Sequence, residues 1–392
     1  MAERVAHLVI GGGVMGLAAA WQLARRGEHV RLVERFGQHH TRGASHGSTR
    51  NINNAYHEAH YLDLFDEALG LWRELERGAP EPLLGLHGLV TQGDEVVVLA
   101  AHAALAERGA DAQLLDPAAA AARWPGMRFR GPVLLGRQAG VGYAARALSA
   151  MEAAAERDGA VIERGQRVLS IEPYAGAGGA DGPVRVELAA PGGERRTIEA
   201  DRVIVAAGAW TAPLLRDLSG PGGPIELPQL TVTEEHPAHF TPRDPGLPWP
   251  SFNHMFAPAQ LDERGGNVYG MPSPGEGVKV GLHAVGHEVD PDKRTFRATD
   301  EVRAAVREHV AEWFPGLDPD TGVEISCTYT STASGRFVLE RFGPITVAAG
   351  FSGHGYKFAP AIGRILADSA TGSAPPPAAF RLAAHGRGAA AE

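Results

Sequence analysis

Three glycines and one carboxylate near the start of the chain have the types and spacing to hold a dinucleotide. Gly11, Gly13 and Gly16 form G-x-G-x-x-G, and Glu34 follows eighteen residues after Gly16. In such a pattern Gly11 allows a tight turn, Gly13 lets backbone N–H groups approach a pyrophosphate, and Gly16 lets a helix pack close to a strand. The diphosphate then meets the positive helix end, whose first residues are Val14 and Met15. Glu34 stands where an acid accepts from an adenosine ribose hydroxyl, which favours FAD or NAD over NADP. The position of the motif at the head of the chain favours FAD. Residues 37–50 are polar, with three glycines and two arginines. Either their N–H groups and Arg50 face anionic atoms beside the cofactor, or they form an ordinary solvated loop.

These residues need a βαβ unit to position them. The apolar run 5–10 reads as a buried strand, 17–26 has helical apolar spacing, and 30–33 reads as the next strand. Further helices are expected at 61–77, 98–108, 144–158, 299–314 and 359–369, with Asp116 capping another short one. A hairpin is expected over 86–99, around Gly88 and Gly93, and strand-like segments at 160–171 and 201–210. Segments 184–188 and 196–199 read as a meander hairpin, and 345–349 as a strand. The proline- and glycine-rich stretch 221–250 marks a crossing into a second domain. There 231–232, 255–256, 268–271 and 278–282 supply an antiparallel sheet, and 322–329 reads as one strand carrying Cys327.

At 392 residues the chain suits two domains sharing an interface. Its 37 basic and 46 acidic side chains give a net charge of -9, which offers nothing to nucleic acid. One cysteine excludes an internal disulfide framework. No secretory signal is read at the start, and the apolar runs are shorter than the ~18 residues of a membrane helix. A soluble, cytoplasmic protein is expected, with a disordered tail after about residue 383. No metal-ligand cluster is read.

The chain resembles the D-amino-acid-oxidase superfamily of flavoenzymes, most closely the monomeric sarcosine oxidase and N-methyltryptophan oxidase group. The carriers are the N-terminal G-G-G-V-M-G, Ser45-His-Gly-Ser-Thr-Arg50, Arg123-Trp-Pro-Gly126, Ala206-Ala-Gly-Ala-Trp210, Tyr269-Gly-Met-Pro272, Val278-Lys-Val-Gly-Leu-His283, Cys327-Thr-Tyr329 and Gly350-Phe-Ser-Gly-His-Gly-Tyr-Lys357. Their order spans nearly the whole sequence. The fold this implies is α/β: a Rossmann-like FAD-binding domain (1–85, 144–220 and 321–382) with an interleaved α+β substrate domain built on an antiparallel sheet (86–143 and 221–320), then a tail at 383–392.

The resemblance also assigns roles. On its own, a lone cysteine reads as a small buried hydrophobe; the resemblance makes Cys327 the site of an 8α-S-cysteinyl link to FAD. Lys279, otherwise a solvated strand residue, is placed near flavin N5 to stabilise charge as O₂ is reduced. Arg50 and Lys357 become the cations beside the ring, helped by the Gly353-His354-Gly355 turn, with His46 beside the flavin. Arg35, Ser45, Ser48, Thr49, Val168, Gly208 and Trp210 join the cofactor contacts. Tyr269, His283 and Tyr329 match substrate-pocket positions, and Lys357 a holder of the substrate carboxylate.

One position departs from the resembled pattern. The group has Arg-x-x-Arg where this chain has Arg50-Asn-Ile-Asn53, and Asn53 offers neither charge nor a bidentate fork. Sarcosine is disfavoured accordingly; a larger N-alkyl amino acid, its ester or amide, or a carboxylate-free secondary amine fits better. The expected activity is oxidation of a C–N bond to an imine with hydrogen peroxide formed from O₂, by a monomer acting on a small-molecule amine. Two alternatives stay open: a dehydrogenase with another electron acceptor, and a non-catalytic flavin-binding protein. An NAD-dependent dehydrogenase is disfavoured, because nothing after residue 220 looks like a second nucleotide motif.

Overall fold

The computed structural model describes residues 3–173, 182–216, 218–220, 223–257, 261 and 266–386. The strand Glu3–Ile10 (β1), helix Val14–Ala24 (α1) and strand Val30–Glu34 (β2) form the expected βαβ unit. They sit in an eight-stranded sheet in which β1 lies between β2 and Arg195–Val205, parallel to both, and Ile345–Ala349 extends the parallel part. Every residue of α1 is buried. Its alanine run explains how: helix Ala359–Thr371 crosses it so closely that a Cβ on Gly363 would come within 2.5 Å of the Ala18 backbone. Small side chains on both helices are what permit that approach.

A second eight-stranded sheet runs in the order Val323–Glu324, Ala238–Phe240, Gly277–Leu282, Val268–Ser273, Ser251–Met255, Leu89–Gly93, Val133–Gly136, Ala112–Leu115. It is antiparallel except where Ser251–Met255 runs parallel to Leu89–Gly93. Helix Asp300–Trp313 covers it, burying Val306, Val310 and Trp313 against Phe240, Phe252 and Val280. Strand Thr49–Ile52 (β3) pairs with Gly140–Tyr143, and Thr231–Glu235 pairs with Cys327–Ser331, so both segments bridge toward the space between the large sheets.

Local expectations are corrected in several places. Residues 86–99 do not form a hairpin: the strand ends at Gly93, and the chain enters helix Glu95–Glu107 at once. Gly93 has φ +116°, and a Cβ there would lie 1.9 Å from Met255 O, so the chain turns sharply. Asp94 then caps the helix by accepting from the N–H groups of Val96 (2.8 Å) and Val97 (3.2 Å). Asp94→Ala is expected to cost about 1 kcal/mol in a denaturant melt. The segment 322–329 is likewise two strands: Val323–Glu324 edges the second large sheet, and Cys327–Ser331 belongs to the small sheet. The segment 160–171 is two strands, broken at Gly165 (φ +72°). Of the expected disordered tail, 383–386 is described, within or beside a short helical turn, and 387–392 lies outside the described residues.

Candidate active site

A cleft of about 1770 Å³ runs from the carboxyl ends of β1 and β2 to the space between the two large sheets. That exceeds the roughly 300–1000 Å³ of a small-ligand pocket, leaving room for a dinucleotide and a small molecule together. At the β1 end, Gly11 has φ +106°, and a Cβ there would meet Ala206 O at 2.5 Å. A Cβ on Gly16 would sit 1.9 Å from Gly11 O, so helix and turn touch backbone to backbone. The first N–H of α1, on Val14, donates to Ser45 Oγ (3.0 Å). Glu34 accepts from Gly12 N (2.6 Å) and Phe36 N (2.8 Å), holding its carboxylate at the end of β2. Beyond it Arg35 and the Trp210 indole N–H both reach Asp292, at 2.7 and 2.9 Å. A helix N-terminus, a ribose-facing acid and a glycine-lined wall together fit the expected dinucleotide.

At the other end the polar loop wraps one guanidinium. Arg50 donates to the carbonyls of Thr49 (2.9 Å), Ala44 (2.8 Å) and His46. Lys279, only 2% exposed, donates from Nζ to the same Thr49 carbonyl at 3.0 Å. Burial, with Arg50 nearby, pushes its ammonium pKa down to about 7. Cys327 is buried, its Sγ 3.8 Å from Ala44 O. His46 donates from Nδ1 to Gly43 O (2.9 Å); burial and Arg50 bring its pKa to about 4, so its ring is neutral with Nε2 free to accept. A thiol and two cations thus border one stretch of wall.

The facing wall carries Lys357, whose Nζ donates to Tyr56 Oη (2.9 Å) and to His354 O (2.8 Å). His354 Nε2 donates to Gly335 O (3.1 Å), which leaves Nδ1 to accept from the Tyr56 hydroxyl (3.2 Å). Burial lowers the Lys357 pKa to about 7 and, with Lys357 beside it, the His354 pKa to about 3. Gly353 has φ +76°, and a Cβ there would penetrate the Tyr329 ring, so this turn must be glycine. His283 stands between Tyr269 and Tyr329, ring centroids 6.4 and 5.3 Å away; burial holds its pKa near 4. Asn53 lines the cleft but its Oδ1 accepts from Ala55 N (2.8 Å), shaping the chain rather than offering charge.

All the sequence-predicted site residues border this cleft except two. Gly16 lies behind the wall as the contact that lets Gly11 turn, and Ser48 instead donates to Glu276. Tyr56, Asp292 and Arg336 line the cleft without having been expected. Nothing local marks Tyr56: its partners Lys357 and His354 lie about three hundred residues away. Among the described residues no group of three metal-ligating side chains exists.

The chain is similar to known proteins over nearly its whole length. Residues 7–369 match the family described as DAO, FAD dependent oxidoreductase. Identity to the peroxisomal sarcosine oxidase of Homo sapiens is 31% over 376 residues, covering 92% of this chain and 90% of that protein. Identity to the monomeric sarcosine oxidase of Arthrobacter sp. is 30% over 375 residues, covering 93% and 91%. Among solved structures, that of NikD, an unusual amino acid oxidase essential for nikkomycin biosynthesis, superposes with a TM-score of 0.81 at 25% identity over 96% of each chain.

Proposed function

We propose, from the premise that this chain belongs to the DAO family of FAD-dependent oxidoreductases, that it is an amine oxidase. It oxidises the C–N bond of a secondary amine or N-alkyl amino acid to an imine and passes the electrons to O₂, giving hydrogen peroxide. FAD, when bound, supplies the two-electron acceptor. The observation that carries the oxidase reading is Lys279: a buried ammonium on the cleft wall, held by Thr49 O beside Arg50. A preorganised positive charge in a dry site favours any step in which negative charge develops.

The chain's own groups divide the work. The α1 N-terminus takes the diphosphate and Glu34 the ribose; Arg35, Trp210 and Asp292 close that end. Arg50 and Lys279 keep positive charge beside the reacting centre. Tyr269, His283 and Tyr329 wall it with rings and exclude water. His46 and His283 are neutral, so neither adds charge to oppose a protonated amine. The neutral form of the amine needs no side-chain base, since its own lone pair assists C–H cleavage. The reading extends to a monomer acting in the cytoplasm; the name "monomeric" carried by the bacterial relatives supports the first part. Among the described residues no helix is long and apolar enough to cross a membrane.

A covalent Cys327–flavin thioether is part of the same proposal. Its support is the buried free thiol on the cleft wall beside the Arg50 loop. Acid precipitation of the purified protein is expected to carry the yellow colour into the pellet, and Cys327→Ser to release it. Colour in the supernatant of the parent protein overturns the link.

Lys357 gives a pH dependence. Its charged form binds an anion, and burial has brought its pKa to about 7. Among the described residues the titratable groups against it are Tyr56, His354 and His283, none of them a carboxylate. Affinity for a carboxylate ligand is therefore highest below pH 7 and falls as the lysine discharges, by about tenfold per unit above it. Measured as the inhibition constant of 3-phenylpropanoate against pH, the slope is expected to flatten in Lys357→Met.

A further inference from the structure

We propose that Arg294 is the positioning residue that sets the Cys327 sulfur against the loop beside the cofactor, so that covalent attachment of the flavin depends on a guanidinium outside the cleft. This rests on the Cys327 link proposed above and deepens it. Arg294 lies in the segment joining strand His287–Glu288 to helix Asp300–Trp313, and neither it nor its partners Glu234 and Ser326 line the cleft.

Three parts of the chain meet on this one side chain. Its Nη1 donates to Arg42 O (2.7 Å), Nη2 to Ser326 Oγ (2.6 Å) and Nε to Glu234 Oε1 (3.2 Å). Ser326 Oγ in turn donates to Glu234 Oε1 (2.6 Å), and the same carboxylate accepts from the N–H groups of Thr295 (3.3 Å) and Phe296 (3.0 Å). The Arg294 and Glu234 side chains are both wholly buried. A dry ion pair is tolerated only when further hydrogen bonds satisfy its atoms, as they do here. The pair therefore offers geometry to its surroundings rather than free charge.

The two segments tied in this way are the ones that hold the sulfur. Arg42 is two residues before Ala44, whose carbonyl stands 3.8 Å from Cys327 Sγ and also accepts from Arg50. Ser326 is one residue before Cys327, which is the first residue of its strand and pairs with Glu235. The Arg42 side chain braces the same joint: its guanidinium and that of Arg294 both lie over the Phe296 ring, at 5.7 and 4.4 Å. In the thioether, the S–H and one C–H of the flavin 8α-methyl give way to an S–C bond. Two protons and two electrons leave, the electrons passing through the flavin to O₂ as hydrogen peroxide. A misplacement of about 1 Å at a reacting centre can cost roughly a hundredfold in rate.

The test uses the purified, flavin-loaded full chain. Bound flavin per chain is read from the visible band, and the covalent share from the colour that pellets with trichloroacetic acid. Ser326→Ala removes one tie and leaves the Arg294–Glu234 pair; Arg294→Lys keeps the charge but loses the fork that spans three partners. Both are expected to hold flavin content near that of the parent and to lower the pelleted share by about twofold or more. Ser326→Thr keeps the hydroxyl and should pellet as the parent does. Full pelleting in both Ser326→Ala and Arg294→Lys overturns the proposal. So does a loss of bound flavin and melting temperature in which the remaining flavin still pellets completely, since that marks a structural role alone. Colour in the supernatant of the parent is a separate failure, that of the Cys327 link itself.

Discussion

Lys279→Met is expected to slow O₂ reduction by about 10²–10³-fold while leaving anaerobic reduction by amine nearly unchanged. The side chain sits on strand Gly277–Leu282, 2% exposed, and no carboxylate among the described residues pairs with it. Methionine keeps the length and loses the charge. The carbonyl that Lys279 engages keeps a donor, because Arg50 also reaches Thr49 O at 2.9 Å. The substitution thus removes charge without orphaning a buried acceptor, and the expected loss belongs to electrostatics rather than packing. Since the ammonium pKa lies near 7, the charged fraction declines as pH rises through neutrality, and the O₂ rate constant of the parent should fall over the same window. Stopped-flow mixing of amine-reduced protein with O₂ measures both. A Lys279→Met protein that reoxidises at the parent rate removes this lysine from the oxygen step.

The second large effect is expected at Gly16. A Cβ at this position would stand 1.9 Å from Gly11 O and 3.0 Å from Gly11 C, so it is backbone, not the end of a flexible side chain, that would have to yield. Either α1 lifts from the turn or the turn opens, and both move the N–H groups that receive the diphosphate. Gly16→Ala should therefore purify without flavin and melt early, destabilised by at least the ~1–3 kcal/mol of an overpacked core. Gly70→Ala is the control: Gly70 is exposed within helix Ala59–Glu76, a Cβ there meets nothing, and alanine should gain about 1 kcal/mol. A Gly16→Ala protein that keeps full flavin content contradicts the geometry of the turn.

What the sequence made legible depended on how far apart the partners lie. Gly11, Gly13, Gly16 and Glu34 act through neighbours within one βαβ unit, so spacing alone exposed them. Lys279 and Thr49 meet across 230 residues and Cys327 and Ala44 across 283; composition and periodicity carry no trace of such pairs, and resemblance supplied Lys279 and Cys327 themselves but not these contacts. Arg336 and Tyr56 carried neither kind of signal. Where local reading failed, a short-range competitor had won. The valines at 96–98 invite a strand, yet Asp94 satisfies the first helical N–H groups and Val96 is left 77% exposed on the helix.

The most direct test of the account is anaerobic mixing of the purified protein with N-methyl-L-phenylalanine and its decarboxylated counterpart, N-methylphenethylamine, followed by visible absorbance. The expected result is a yellow protein whose flavin band bleaches with a secondary amine, faster with the carboxylate-bearing one, and returns with peroxide when air is admitted. A colourless protein, or a yellow one that neither these nor any other secondary amine bleaches, would contradict the claim that this cleft holds FAD for amine oxidation.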